Sequence, residues 1–268
     1  MTEPHRRLRV AAASETGAYR AVNQDAAFTA PWAVAVADGV GGGPAGDLAS
    51  AALVHRLAAG RGDVMDAEHL AASIRAANWD LRAHVERDPT LDGMATTFTG
   101  IFVSRAGTLL LAHAGDSRAY LLRDGAFSQQ TRDDSLVQAL VDQGLMTAED
   151  AANSPRRNLI TASLSGGEGD SVTVAVHAQV PGDRWMLCSD GLSDYVPRAD
   201  IHSLLATHSD PAEAARRCVE LALEAGTRDN VTVVVCDVTD EGDQVGTATQ
   251  TTFYGSAAAR FMEGLETA

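Results

Sequence analysis

Residues 97–123 read TFTGIFVSRAGTLLLAHAGDSRAYLLR. Three short apolar runs, 97–104, 108–113 and 118–123, are separated by turns that carry Ala106-Gly107 and Gly115-Asp116, and Asp124-Gly125 closes the third. This spacing predicts three consecutive strands. On either side the period changes. Upstream, residues 66–87 place Leu70, Ile74, Ala77, Leu81 and Val85 on one face of a long helix that Asp88-Pro89 stops, and residues 47–59 have helical spacing as well. Downstream, 135–142, 199–207 and 211–225 read as helices. Strands are expected at 8–13, 32–37, 172–177, 184–188 and 231–237, with 14–24 as a loop or hairpin and 144–158 as an irregular connection. Strand groups and helix groups are segregated rather than strictly alternating, so an α+β fold with antiparallel sheets is expected instead of a doubly wound one.

The composition narrows the chemistry. The 268 residues hold 36 acidic and 21 basic side chains, a formal charge of −15; every basic residue is Arg, and Asp outnumbers Glu 24 to 12. Such a chain lacks the basic face that nucleic acid or an anionic membrane requires, so neither is an expected partner. Cys188, Cys218 and Cys236 form no CxxC pair or metal spacing and read as core thiols of a reducing compartment. The opening MTEPHRRLRV has no apolar stretch of a secretory signal, and no run approaches a membrane span. A cytoplasmic, monomeric protein is expected, one domain over 1–238 followed by a polar tail, 239–268, either disordered or docked through Phe253, Tyr254, Phe261 and Met262.

The aspartates fall where apolar strands stop. Residues 34–37 run into Asp38-Gly39, 185–189 into Asp190-Gly191 and 109–114 into Gly115-Asp116, while Asp229-Asn230 precedes 231–235. A single Asp-Gly is an ordinary turn. Four aspartates at the ends of buried strands, with Asp194 one helical turn beyond Asp190, would crowd carboxylates at one rim, where repulsion is severe unless cations relieve it. An all-oxygen set selects magnesium, manganese or calcium over zinc. Arg20, in Arg20-Ala-Val-Asn-Gln-Asp25, offers a planar fork for a phosphate. A competing reading exists: Gly41 to Gly46 satisfies the dinucleotide-binding G-x-G-x-x-G, with Asp63 and Asp66 about 20 residues on. Against it, Asp38 stands where the pyrophosphate would approach, and no alternating βαβ pattern follows.

Taken in order, Arg20-x-x-Asn23-Gln24-Asp25, Ala37-Asp38-Gly39-Val40-Gly41-Gly42, Gly93-Met94-Ala95-Thr96-Thr97, Gly115-Asp116-Ser117-Arg118, residues 131–137, Arg157-Asn158-Leu159-Ile160-Thr161, Ser189-Asp190-Gly191-Leu192-Ser193-Asp194 and Arg228-Asp229-Asn230-Val231-Thr232 resemble the metal-dependent serine/threonine protein phosphatases of type 2C. The resemblance spans residues 8–238 and includes a bacterial-type pattern. It implies a four-layer αββα sandwich, two central antiparallel sheets flanked by helices. It implies two or three divalent cations, manganese or magnesium, with Asp38 bridging two of them and positioning the water, the Gly39 carbonyl on one, Asp190 and Asp229 on the other, and Asp25 ordering their waters. Asp116, Asp190 and Asp194 correspond to a weaker third site, Arg20 to the residue that binds the substrate phosphate, and 144–158 to a flap beside the cleft. Implied partners are phosphoserine and phosphothreonine proteins, including a kinase or its substrates.

Four positions depart from the pattern. Gln24 stands where many members have Glu, Val40 where animal members carry a His assigned as general acid, Ala95 for the usual Gly, and Ala162 for a common Arg. None removes an implied ligand. The alternatives are a non-catalytic phosphoprotein-binding module on the same fold and, more remotely, a dinucleotide-dependent oxidoreductase.

Overall fold

The structure is a computed structural model that describes residues 7–40, 45–60, 66–239 and 250–260. Gly41 to Gly43, Asp63, Phe261 and Met262, singled out above, lie outside the described residues. Asp66, the other acid of the dinucleotide reading, is the N-cap of a helix and accepts from His69 N–H.

The strands are β1 (Arg7–Glu15), β2 (Asp25–Ala30), β3 (Ala33–Asp38), β4 (Phe98–Val103), β5 (Leu109–Ala114), β6 (Arg118–Arg123), β7 (Ala126–Gln129), β8 (Thr173–His177), β9 (Arg184–Cys188), β10 (Val231–Thr239) and β11 (Thr252–Gly255). The helices are α1 (Gly46–Ala58), α2 (Ala67–Arg87), α3 (Leu136–Asp142), α4 (Ala148–Ala152), α5 (Asp190–Ser193), α6 (Arg198–Thr207) and α7 (Pro211–Glu224). They form one sheet in the order β1-β10-β9-β6-β7 and another in the order β11-β2-β3-β4-β5-β8, antiparallel throughout.

Side-chain alternation along the strands explains the layers. In β3, Val34 and Val36 pack into the core between the sheets, with Trp185, Leu187, Ile101 and Val234. Ala33, Ala35 and Ala37 face the opposite way, toward Leu53 and Val54 of α1 and Ile74 of α2. The same alternation in β10 sends Val234 and Cys236 inward and Val233 and Val235 toward α6 and α7. Both faces of these strands are buried, which is why their sequences are continuously apolar. The result is the expected αββα sandwich.

The expected elements are found to within about a residue or two, with additions. β2, β7 and α5 fill stretches not assigned to any element, and α4 lies inside the segment read as irregular. The polar tail also contributes a strand: β11 pairs with β2, Thr252 opposite Thr29 through Gly255 opposite Ala26. Ser256 and Ala257, just beyond it, are buried. No helix among the described residues is long and apolar enough to cross a membrane.

Candidate active site

Sheet topology gathers the aspartates. Asp25 opens β2 and Asp38 ends β3, and the two are direct partners in the ladder. Asp190 follows β9 at the start of α5, Asp194 caps the end of that helix, Asp116 sits in the turn between β5 and β6, and Asp229 lies just before β10. These strands belong to both sheets, so the acids come together at one end of the sandwich.

Burial first, and mutual repulsion second, mark that gathering electrostatically. Burial pushes the Asp25 carboxyl up to about 6, with Asp229 adding to the shift against hydrogen bonds from Ser189 and Thr232. Asp38 is raised well above the usual range, first by burial, then by Asp25, Asp190, Asp116 and Asp229. Asp190 is raised likewise by burial, then by Asp116, Asp194, Asp229 and Asp25. Asp116 reaches about 7 through burial, Asp133 and Asp194. Each raised value means that an ionised acid is held beside others without enough compensation.

The acids face one another without closing into a cage: among the described residues no three His, Cys, Asp or Glu side chains form a ready-made ion site. Two of them are drawn aside by arginines. Arg20 Nη2 donates to Asp229 Oδ2 (2.7 Å), and Arg157 Nε to Asp194 Oδ2 (2.9 Å). The central acids are the undersatisfied ones. Asp25 Oδ1 and Asp190 Oδ1 are buried and accept no hydrogen bond from the described residues. Two orphaned carboxylate oxygens among repelling acids are a donor set that suits a hard divalent cation.

The backbone around these acids is held from several directions. Thr97 Oγ1 accepts from Asp38 N–H (3.0 Å), while Thr97 N–H (2.8 Å) and Thr96 Oγ1 (3.0 Å) donate to the Asp38 carbonyl. Thr97 Oγ1 also meets Ser117 Oγ at 2.7 Å, which ties the Asp38 strand to the turn carrying Asp116. Ser189 Oγ donates to Asp25 Oδ2 (2.7 Å) and accepts from Thr232 N–H (3.0 Å). Gly39 must be glycine, because a Cβ there would collide with the Gly46 carbonyl, and a Cβ on Gly191 would collide with the Asn230 carbonyl.

Asn230 organises the loop that carries Arg20. Its Oδ1 accepts from Gln24 N–H (2.8 Å), and its Nδ2 donates to the carbonyls of Thr16 (2.8 Å) and Val22 (3.1 Å). The roles of Thr97, Ser117, Ser189, Asn230 and Arg157 were not apparent from the sequence. All five lie inside the quoted motifs, so proximity to an aspartate was the available signal. His113, inside β5, is bonded to Thr99 Oγ1 (3.0 Å) and the Arg132 carbonyl (2.9 Å). Val40, at the position of the animal general acid, brings only a hydrocarbon side chain.

Residues 18–224 match the profile of the protein phosphatase 2C family. Serine/threonine protein phosphatase PstP of Mycobacterium tuberculosis (strain CDC 1551 / Oshkosh) is 45% identical over 236 residues, 87% of this chain and 45% of that relative. The chain therefore spans about half the length of that relative. Serine/threonine phosphatase stp of Listeria innocua is 34% identical over 212 residues, 76% of this chain and 83% of the relative. Among solved structures, the catalytic domain of PstP in complex with two manganese ions superposes with a TM-score of 0.80 at 44% identity, covering 88% of this chain and 100% of that one. Motif order, sheet topology and these matches agree on one assignment: the chain belongs to the protein phosphatase 2C family.

Proposed function

We propose that this protein hydrolyses phosphoserine and phosphothreonine in proteins, using two or three divalent cations, manganese or magnesium. The observation that carries the reading is the meeting of Asp25, Asp38 and Asp190 around orphaned carboxylate oxygens, with Arg20 at the rim. Asp38, Asp190, Asp229 and the Gly39 carbonyl would hold the principal ions, and Asp116, Asp190 and Asp194 a weaker one. Bound there, the ions supply Lewis acidity that activates a water and neutralises charge on the phosphoryl oxygens. The named relatives and the manganese complex support this reading.

The chain's own groups do the rest. Arg20 would orient the phosphate through the guanidinium N–H groups that remain, since Nε is held by the Arg228 carbonyl and Nη2 by Asp229. Asp25 Oδ2 is fixed by Ser189, which leaves the buried, unbonded Oδ1 to order a water. Val40 cannot protonate the leaving serine or threonine oxygen, so that proton comes from solvent ordered by the acids. Buried, unpaired cysteines fit a reducing, cytoplasmic setting. A monomer that opposes a serine/threonine kinase, or acts on that kinase's substrates, completes the proposal.

Hydrolysis of para-nitrophenyl phosphate with and without manganese tests it. Turnover that requires manganese and disappears in Asp190→Ala is expected; turnover indifferent to both would refute it.

A further inference from the structure

The surface beside Arg20 has features that phosphate binding does not use. Seven large apolar side chains are exposed among the described residues, and two of them, Tyr19 (65% exposed) and Val22 (54%), flank Arg20 in its loop. Exposed apolar side chains are unremarkable singly. These stand on a loop that is unusually well fastened. Asn230 holds it at Thr16, Val22 and Gln24, and Gly17, at φ +75°, packs so closely on the Asp229 carbonyl that a Cβ would lie 2.6 Å from its oxygen.

Arg228 joins them from the other side of the same contact. Its guanidinium carbon lies 5.5 Å from the centre of the Tyr19 ring. Its carbonyl accepts from Arg20 Nε (3.3 Å). Among the described residues its side chain has no hydrogen-bond or ion-pair partner, whereas Arg20, Arg118, Arg157 and Arg184 are each engaged by an aspartate. Stacking on Tyr19 uses one face of the guanidinium and restricts its rotamers, and leaves the N–H edge open to solvent. A planar donor fork held this way is prepared for a carboxylate.

We propose that Tyr19, Val22 and Arg228 form a subsite that reads the sequence around the phosphorylated residue, with Arg228 pairing an acidic side chain close to it and Tyr19 and Val22 packing on that side chain's hydrocarbon. The proposal rests on the phosphatase reading above. The chain's net charge of −15 opposes an acidic peptide at long range, but beyond about 8 Å salt screens that repulsion, so the local fork decides the preference.

The test uses the 268-residue chain, manganese and phosphoserine peptides identical except for one position, scanned one to three residues to either side and carrying Asp or Lys. At one of these positions, Asp is expected to lower KM about five- to tenfold relative to Lys, with kcat moving much less. Arg228→Glu is expected to reverse the order, so that Lys becomes the better residue, and Tyr19→Ala to weaken the preference. Equal KM values for Asp and Lys peptides at every position, or a preference that survives Arg228→Glu, would overturn the subsite. Para-nitrophenyl phosphate, which has no neighbouring residues, separates the two readings. If it is turned over and the peptides are not discriminated, the subsite alone falls; if manganese does not support its turnover, the phosphatase reading falls and the subsite with it.

Discussion

Replacing Asp25 by Asn in metal-free protein should stabilise the fold, and increasingly so as pH rises. Burial raises the Asp25 carboxyl from the usual 3.8 to about 6. An acid with a raised value holds its proton in the folded state while the unfolded chain releases it, so folding is disfavoured progressively as pH climbs through that window. Below about pH 3 both states are protonated and the effect vanishes. Above about pH 6.5 it is complete, and at 1.36 kcal/mol per tenfold the gap amounts to about 3 kcal/mol. Asn keeps the acceptor that Ser189 uses and removes the charge. Its new amide adds an offset of its own, which does not titrate, so the pH dependence of the difference is the informative quantity. Urea denaturation of wild type and Asp25→Asn in chelator, from pH 4 to 7.5, measures it. The difference should grow by about 2–3 kcal/mol in favour of the variant across that range. A difference that stays flat, or shrinks as pH rises, would refute the assignment of Asp25 as a buried, repelled acid. Saturating manganese should narrow the difference at pH 7.5, because a cation compensates the ionised Asp25 and binds the uncharged variant more weakly.

Two further substitutions probe the scaffold. Gly255→Ala puts a Cβ against the Asp25 carbonyl oxygen on a backbone at φ +61°, and should cost about 2–3 kcal/mol by displacing β11; an unchanged urea midpoint would show that the strand's seat is not essential. Asn230→Ala removes three bonds to the 16–24 loop and should cost about 2–4 kcal/mol, with faster proteolysis within that loop than in wild type as the check.

How far the sequence determined these conclusions differs from element to element. The strands at 97–123 were evident because short apolar runs between glycine turns have few alternative structures. The aspartates at strand ends pointed to a cation site because buried acids need compensation wherever the strands lie. β2 was missed because Asp25–Ala30 is six residues, all buried, with no alternation, and a Pro follows directly. β11 was missed for a different reason. Thr252–Gly255 belongs to a Gly- and Thr-rich stretch with no strand pattern of its own, and its conformation is set by the edge of β2 and by Phe253 packing on His55 of α1. Arg20 illustrates the limit at the site: its motif suggested a phosphate, but only the fold places its guanidinium on Asp229.

β11 also has a consequence for the order in which the protein is made. Its partner β2 carries Asp25 at one end, yet Gly255 lies roughly 230 residues further along the chain. Below it, Ser256 Oγ meets Ser50 Oγ (3.0 Å), which in turn donates to the Gln24 carbonyl (2.5 Å), and Arg260 pairs with Asp47 (2.6 Å). Synthesis proceeds at about 5–20 residues per second, so the outer edge of β2 waits on the order of ten seconds or more on the ribosome before its neighbour emerges. Until then the carbonyl next to the site's most buried acid lacks its backing, and a growing chain does not hold the finished arrangement of acids. A protein phosphatase 2C-family chain built in this way does not complete the acid-rich end of its sandwich until residues 252–255 have been synthesised.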